Sequence, residues 1–169
     1  MKYKVMIVED QTMPRELFEL RVQASERFEL ALSIDNAALA DVYCLRFPVD
    51  LILMDVITRD GENGLDAAAR IKRAFPQIKI IIVTSMPECS YLKRAKEIGV
   101  ESFWYKEEQR ESLLDVMERT MNGESVYPGA SPELTLGMAS SYQFTERELD
   151  ILREITSGDT NQEIADRLN

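Results

Sequence analysis

The stretch LILMD at residues 51–55 places four apolar residues directly before a carboxylate. A strand with one solvent-facing side would carry a polar residue at every second position, so this run predicts a strand that is buried on both faces. The runs VMIV at residues 5–8 and IKIIIV at residues 78–83 have nearly the same character. Buried strands of this kind are typical of a parallel sheet that is covered by helices on both sides.

Five strands are predicted to alternate with five helices over the first 123 residues. Gly99 and Gly123 stand where helix C-caps belong. Five strand-and-helix units in order predict an α/β fold with a doubly wound, five-stranded parallel sheet and right-handed crossovers. The predicted strands cover residues 3–8, 28–34, 50–54, 78–84 and 101–105, and the predicted helices cover residues 14–26, 37–47, 65–75, 90–98 and 109–122.

The composition changes after residue 123. Residues 124–143 are rich in Gly, Pro and Ser, which predicts a linker, and the spacing of Leu134, Leu136 and Met138 indicates a short helix within it. A helical pattern returns at Thr145, which stands in capping-box spacing with Glu148. We therefore expect one domain over residues 1–123, a linker over residues 124–143 and a partial all-α domain over residues 144–169.

Composition and charge exclude several classes of protein. The net charge of -10, from 30 acidic and 20 basic residues, argues against a surface that binds nucleic acid by charge alone. The chain has no signal-peptide pattern and no apolar run near the ~20 residues of a membrane span, so we expect a cytoplasmic protein without a membrane segment. The absence of histidine excludes a Ser-His or Cys-His nucleophile pair. Cys44 and Cys89 lie far apart, which favours two reduced thiols.

Polar residues stand at the ends of four predicted strands. Glu9 and Asp10 follow the first, Asp55 follows the third, Thr84 ends the fourth and Lys106 follows the fifth. In an open parallel sheet, ligands bind outside the carboxyl ends of the strands. Three carboxylates in one crevice would repel one another unless a cation such as Mg²⁺ neutralised them. A carboxylate, a hydroxyl and an ammonium beside that ion supply what phosphoryl transfer onto an aspartate requires, so Asp55 is the predicted nucleophile.

The pieces IVED, LILMDV, IIVTS and SFWYK together resemble the receiver domain of two-component response regulators, over about residues 1–123. The resemblance implies a flavodoxin-like fold and a phosphorylation site with bound Mg²⁺. By this resemblance Asp55 accepts the phosphoryl group, Thr84 donates a hydrogen bond to it, and Lys106 pairs with a phosphoryl oxygen. Mg²⁺ is held by Glu9, Asp10, Asp55 and the backbone carbonyl of Ile57. Phe103 and Thr84 form the switch.

Two features depart from the usual receiver pattern. The loop after the acceptor reads DVITRDGENG at residues 55–64, without the common proline and with greater length. Lys106 is followed by Glu107 instead of proline. We expect the unusual loop to affect kinase recognition or the lifetime of the phosphoryl group.

The string FTERELDILREITSGDTNQEIADRLN at residues 144–169 resembles the opening of the LuxR/NarL-type helix-turn-helix domain. In that family, two helices lead into a third that lies in the major groove of DNA. Seven acidic residues against three arginines give this segment a net charge of -4, which does not suit DNA binding by itself. We expect the recognition helix to be absent from this sequence and to belong to a longer regulator.

These observations favour a transcriptional response regulator over an enzyme. The resemblance implies that a phosphohistidine of a sensor histidine kinase donates the phosphoryl group, and this donor must be external because the chain has no histidine. Phosphorylation is expected to switch homodimerisation and, in the longer protein, promoter binding. A haloacid-dehalogenase-like phosphohydrolase is one alternative, although it would require a second aspartate where Ile57 stands. A phosphorylation-independent interaction module is another. No GxGxxG or GxxxxGK[ST] string supports nucleotide binding.

Overall fold

A five-stranded parallel sheet forms the centre of the first of two compact units, Met1–Ser131 and Pro132–Asn169, in the computed structural model. The structure describes residues 2–86, 88–106 and 112–129, and further along the chain Thr135–Leu136, Ala139–Ser140 and Glu148. The strands are β1 (Tyr3–Val8), β2 (Phe28–Ile34), β3 (Leu51–Met54), β4 (Lys79–Thr84) and β5 (Ser102–Tyr105). Their order in the sheet is β2-β1-β3-β4-β5, so the direction of winding reverses between β1 and β3.

Helices cover both faces of the sheet. They are α1 (Thr12–Ala24), α2 (Ala40–Arg46), α3 (Gly64–Ala74), α4 (Cys89–Ile98) and α5 (Leu113–Met121). Buried residues of α2, α3 and α4 pack on one face, against side chains such as Ile52 and Ile80. Buried residues of α1 and α5 pack on the other face, against their neighbours in sequence such as Leu53 and Ile81. Because successive strand residues point to opposite faces, an unbroken apolar strand fills both layers of the core.

The predicted flavodoxin-like, doubly wound fold is confirmed, and most element bounds agree within two residues. Gly99 ends α4 in the left-handed conformation, with φ of 82°. The predicted helix 37–47 begins as a short 3₁₀ turn, Ala37–Leu39, and the Asn36 side chain caps this turn by accepting a hydrogen bond from Ala38 N at 2.7 Å. The start predicted for the last helix, residues 109–111, lies outside the described residues.

The second unit contains a small antiparallel pair, β6 (Thr135–Leu136) and β7 (Ala139–Ser140). The short helix predicted around Leu136 is therefore wrong at that position, because Leu136 pairs with Ala139 in an extended strand. Glu148 is helical, at the place where the capping pattern predicts a helix. The rest of the predicted helical segment lies outside the described residues. In the part of the chain that the structure describes, no helix has the length and apolar character of a membrane span.

Candidate functional site

Three carboxylates meet at the carboxyl ends of β1 and β3. Val8 pairs with Met54 in the parallel register, so the residues that follow these strands, Glu9 and Asp55, come out side by side. Oxygen atoms of Glu9, Asp10 and Asp55 all lie within 4.8 Å of one another. The site therefore concentrates negative charge at the point where the direction of winding reverses.

Lys106 brings a positive charge to this cluster from the far strand of the sheet. Its backbone N–H donates to the Thr84 carbonyl at 2.9 Å, which holds the end of β5 beside the end of β4. Its Nζ donates to Asp55 Oδ2 at 2.7 Å and lies 2.6 Å from Glu9 Oε2. One ammonium group is thus shared by two carboxylates.

Burial governs the electrostatics of the cluster, because Glu9 is 1% exposed and Asp55 is 5% exposed. Burial, and then the nearby charge of Asp55, raise the pKa of Glu9 to about 6. Burial also raises the pKa of Asp55, although the Lys106 charge opposes the change. For Lys106 burial lowers the pKa, but the charge of Asp55, its hydrogen bond to Lys106 and the charge of Glu9 outweigh it, so the pKa of Lys106 is raised. The ammonium therefore stays charged at neutral pH, beside three carboxyl groups.

One oxygen of the cluster has no aligned hydrogen-bond donor. Glu9 Oε1 accepts a hydrogen bond from Gln11 N at 3.1 Å. Glu9 Oε2 is buried and accepts no such bond, so it contacts the Lys106 charge without directed hydrogen-bond geometry. A buried carboxylate oxygen in this state has a lone pair left for a further positive partner.

The unusual loop after Asp55 is a small hairpin. Gly64 N donates to Val56 O at 2.7 Å, Thr58 N donates to Glu62 O at 3.0 Å, and Ile57 pairs with Asn63 between these bonds. Asp60 and Gly61 form the turn, with left-handed φ values of 62° and 74°. The additional residues of the loop therefore form a turn away from Asp55. Short hairpins with this kind of turn need two residues with positive φ values.

Gly64 allows the closest approach in this hairpin. A Cβ atom at residue 64 would lie 1.8 Å from the Asp55 carbonyl oxygen. Any side chain there would force the hairpin away from the backbone of Asp55. The glycine that ends the loop therefore has a steric role beside the cluster.

The remaining predicted site residues have different environments. Thr84 is buried at the end of β4, and its Oγ1 accepts a hydrogen bond from Met86 N at 3.1 Å. Ile57 is 45% exposed at the start of the hairpin. Phe103 is buried in β5, with its ring 5.0 Å from Tyr105 and 6.4 Å from Tyr127 between centroids. Glu107, which replaces the usual proline, lies outside the described residues.

Two residues that contact the hairpin or the predicted switch residue Phe103 were not predicted from the sequence. Thr58 is buried in the hairpin and hydrogen-bonded to the backbone of Ala37. Tyr127, in the predicted linker, packs beside Phe103. A threonine in a loop and a tyrosine in a linker give no periodic signal, so the sequence alone could not assign either one to this region.

Models of two protein families match this chain, one over its first predicted domain and one over its last segment. The model of the response regulator receiver domain matches residues 5–118, and the model of the bacterial regulatory proteins of the luxR family matches residues 142–169. The response regulator protein VraR of Staphylococcus epidermidis is 34% identical over 173 residues, covering 98% of this chain and 81% of the relative. VraR of Staphylococcus aureus is 33% identical with the same coverage.

Solved structures are similar in fold. A LuxR-family two-component response regulator from Aurantimonas matches with a TM-score of 0.69 at 20% identity, covering 78% of this chain and 91% of that one. A LuxR-family DNA-binding response regulator from Staphylococcus aureus matches with a TM-score of 0.62 at 27% identity, covering 71% and 96%. The RcsB response regulator of Salmonella typhimurium matches with a TM-score of 0.68 at 17% identity, covering 99% and 83%.

Proposed function

Because this chain belongs to the response regulators of two-component systems, with a receiver domain and a LuxR-type region, we propose that it is switched by a phosphoryl group on Asp55. The observation that carries the proposal is the position of this carboxylate. Asp55 is buried at the reversal point of the sheet, hydrogen-bonded to Lys106 and within 4.8 Å of two other acidic side chains. An aspartate with an ammonium beside it can take on further negative charge at lower cost than an unpaired one.

The transfer joins an Asp55 carboxylate oxygen to phosphorus and breaks the bond between phosphorus and a nitrogen of the donor imidazole. The imidazole leaves and takes up a proton. The proposed donor is a phosphohistidine of a sensor kinase, as membership of the two-component response regulators implies. Lys106 then neutralises a phosphoryl oxygen, and the Thr84 hydroxyl donates a hydrogen bond to another.

The residues of the cluster also fit Mg²⁺. Three carboxylates within 4.8 Å, one of them with a buried oxygen that accepts no aligned hydrogen bond, form a hard oxygen donor set. Glu9, Asp10, Asp55 and the backbone carbonyl of Ile57 would hold the ion. When bound, Mg²⁺ supplies positive charge that offsets the phosphoryl oxygens.

The output of the switch is control of transcription. Support comes from the match of residues 142–169 to the luxR family. The RcsB relative has been solved as two dimers bound to two DNAs, with a TM-score of 0.70 at 17% identity. For this chain, we infer that phosphorylation shifts Thr84 and Phe103, changes homodimerisation and thereby controls promoter binding.

A mass measurement tests the assignment of Asp55. The protein is incubated with acetyl phosphate and Mg²⁺, and the intact mass is expected to rise by one phosphoryl group. Asp55→Asn is expected to abolish the gain, because an amide oxygen is a poor nucleophile. Asp41→Asn, at a carboxylate on α2 that is paired with Arg70, serves as the control and should gain the group normally. A gain that persists in Asp55→Asn, or no gain in the unaltered chain, contradicts the proposal.

A further inference from the structure

Thr58 is a buried polar residue in a surface hairpin, only 2% exposed. Its Oγ1 accepts a hydrogen bond from Ala37 N at 3.0 Å and donates one to Glu62 O at 2.9 Å. The hydroxyl thus joins the two sides of the hairpin and fastens the hairpin to the backbone that precedes α2. A side chain without a hydroxyl would leave the buried Ala37 N–H without this acceptor.

The connection made by Thr58 spans the carboxyl end of β1. The hairpin follows β3 and Ala37 follows β2, and β1 lies between these two strands in the sheet. Glu9 and Asp10 follow β1, so the fastened hairpin borders the acidic cluster. Arg59 also connects the hairpin to the segment after β2, because its backbone N–H donates to the Asp35 carbonyl and its side chain pairs with the Asp35 carboxylate. This ion pair is exposed and contributes little to stability.

The same hydrogen bonds set the direction of the Ile57 carbonyl. Ile57 pairs with Asn63 between two hydrogen bonds of the hairpin, so the ladder does not use the Ile57 carbonyl. The peptide plane that carries this carbonyl also carries Thr58 N–H, which points at Glu62 O. In a planar trans peptide the two groups point in opposite directions. Holding Thr58 in place therefore aims the Ile57 carbonyl away from the partner strand of the hairpin.

We propose that Thr58 is a positioning residue for the acidic site, whose hydroxyl fixes the hairpin so that the Ile57 carbonyl is held ready as the backbone ligand of a divalent cation. The proposal rests on the proposed function, since it concerns the same cation. It also explains how a loop without the usual proline keeps its shape: side-chain hydrogen bonds from Thr58 replace the rigidity that proline would give.

A Mg²⁺ titration of the full chain without a phosphodonor tests the proposal. Thr58→Val keeps the shape of the side chain and removes the hydroxyl, and it is expected to raise the Kd for Mg²⁺ by roughly tenfold or more. Thr58→Ser restores the hydroxyl and should return the Kd close to the original value. Fluorescence can follow the binding, because the single tryptophan, Trp104, lies two residues before Lys106.

Two further measurements separate positioning from general destabilisation. In the metal-free protein, the backbone amides of Ala37 and Thr58 are expected to exchange faster in Thr58→Val and to remain protected in Thr58→Ser. Thr120→Val is the matched control, because it also removes a buried threonine hydroxyl, which donates to Val116 O at 2.6 Å. Thr120 lies beside Ser102, at the end of β5 that is remote from Lys106. The Kd of Thr120→Val for Mg²⁺ should not change.

The outcomes distinguish failure of this proposal from failure of the proposed function. The positioning role is overturned if the amides of Thr58→Val exchange faster while its Kd for Mg²⁺ is unchanged. It is also overturned if Thr120→Val loses as much affinity for Mg²⁺ as Thr58→Val does. If the unaltered chain gains a phosphoryl group on Asp55 while all three variants bind Mg²⁺ alike, only the role of Thr58 fails. If it neither binds Mg²⁺ nor gains the group, both proposals fail. Should Thr58→Val not fold, Thr58→Ala removes the same hydroxyl and carries the same expectation.

Discussion

At the scale of single residues, the acidic cluster combines strong burial with an excess of negative charge. Glu9 and Asp55 share the Lys106 ammonium, and burial raises the pKa of each carboxyl group. The folded protein therefore binds protons at this site more tightly than the unfolded chain does. This difference links the stability of the fold to pH.

The raised pKa of Glu9 predicts the sign of that dependence. The pKa of Glu9 rises from 4.5 to about 6 on folding, so the folded state binds the Glu9 proton more tightly than the unfolded state. The stabilisation of the fold that results is fully present below pH 4.5 and is lost as the pH rises through 6. The loss amounts to about 2 kcal/mol in the metal-free protein. The side chain in Glu9→Gln cannot titrate. The free energy of unfolding of this variant, relative to that of the unaltered chain, should therefore increase as the pH rises through this range. Urea unfolding in the presence of a chelator measures the difference, and a difference that stays constant with pH would show that Glu9 does not titrate in this range.

Gly64 gives a second prediction at this scale. Gly64→Ala places a Cβ atom against the Asp55 carbonyl oxygen, so the hairpin or the strand end must shift. We expect a loss of about 3 kcal/mol in the free energy of unfolding, because neither backbone segment can move freely. Gly129→Ala has open space around the added methyl group and should change stability by less than about 0.5 kcal/mol. Thermal or urea unfolding of both variants checks the contrast.

At the scale of secondary-structure elements, the segment after α5 is tied to β5. Phe103 N donates to Val126 O at 2.8 Å, and Val126 N donates to Ser102 Oγ at 3.1 Å. Next along the chain, Tyr127 donates from its hydroxyl to Val100 O at 2.6 Å, and its ring lies beside Phe103 and 5.1 Å from Lys96 Nζ. The beginning of the predicted linker therefore packs on the strand that carries the predicted switch residue.

This packing predicts the effect of changing Tyr127. Tyr127→Phe keeps the ring and loses the hydrogen bond to Val100, so the free energy of unfolding should fall by about 1 kcal/mol. Burial, and then the charge of Glu101, raise the pKa of Tyr127 to about 12. A spectrophotometric titration should therefore show a late-ionising tyrosine, and Tyr127→Phe should remove its transition. If the late transition persists in the variant, the assignment to Tyr127 is wrong.

At the scale of the whole molecule, cation binding should stabilise the fold. A ligand that binds only the folded state adds about 2.7 kcal/mol at a concentration one hundred times its Kd. We therefore expect Mg²⁺ to raise the Tm of the chain. Asp10→Asn removes one carboxylate of the cluster and should reduce that increase strongly. NaCl at equal ionic strength is the control, and an equal rise with NaCl would show general screening of the net charge of -10 instead.

The sequence alone determined the fold and the composition of the cluster. Unbroken or nearly unbroken apolar strands alternating with helices indicate a doubly wound sheet, because a parallel sheet covered by helices on both sides buries both faces of its strands. In that sheet the residues that follow each strand meet at one edge, so Glu9, Asp10, Asp55 and Lys106 could be named from their order along the chain. These features depend on local periodicity and on topology, both of which can be read from the sequence.

The tertiary structure decided the shape of the loop beside Asp55 and the position of Val126 and Tyr127 at the start of the predicted linker. The hydrogen bond from Ala37 N to Thr58 and the packing of Tyr127 on β5 join segments that are distant along the chain. Such contacts depend on which groups the fold brings within about 3 Å of each other. A threonine in a loop has the same sequence pattern whether its hydroxyl faces water or a buried N–H. Only the assembled sheet, with β1 between β2 and β3, gives Thr58 its partner.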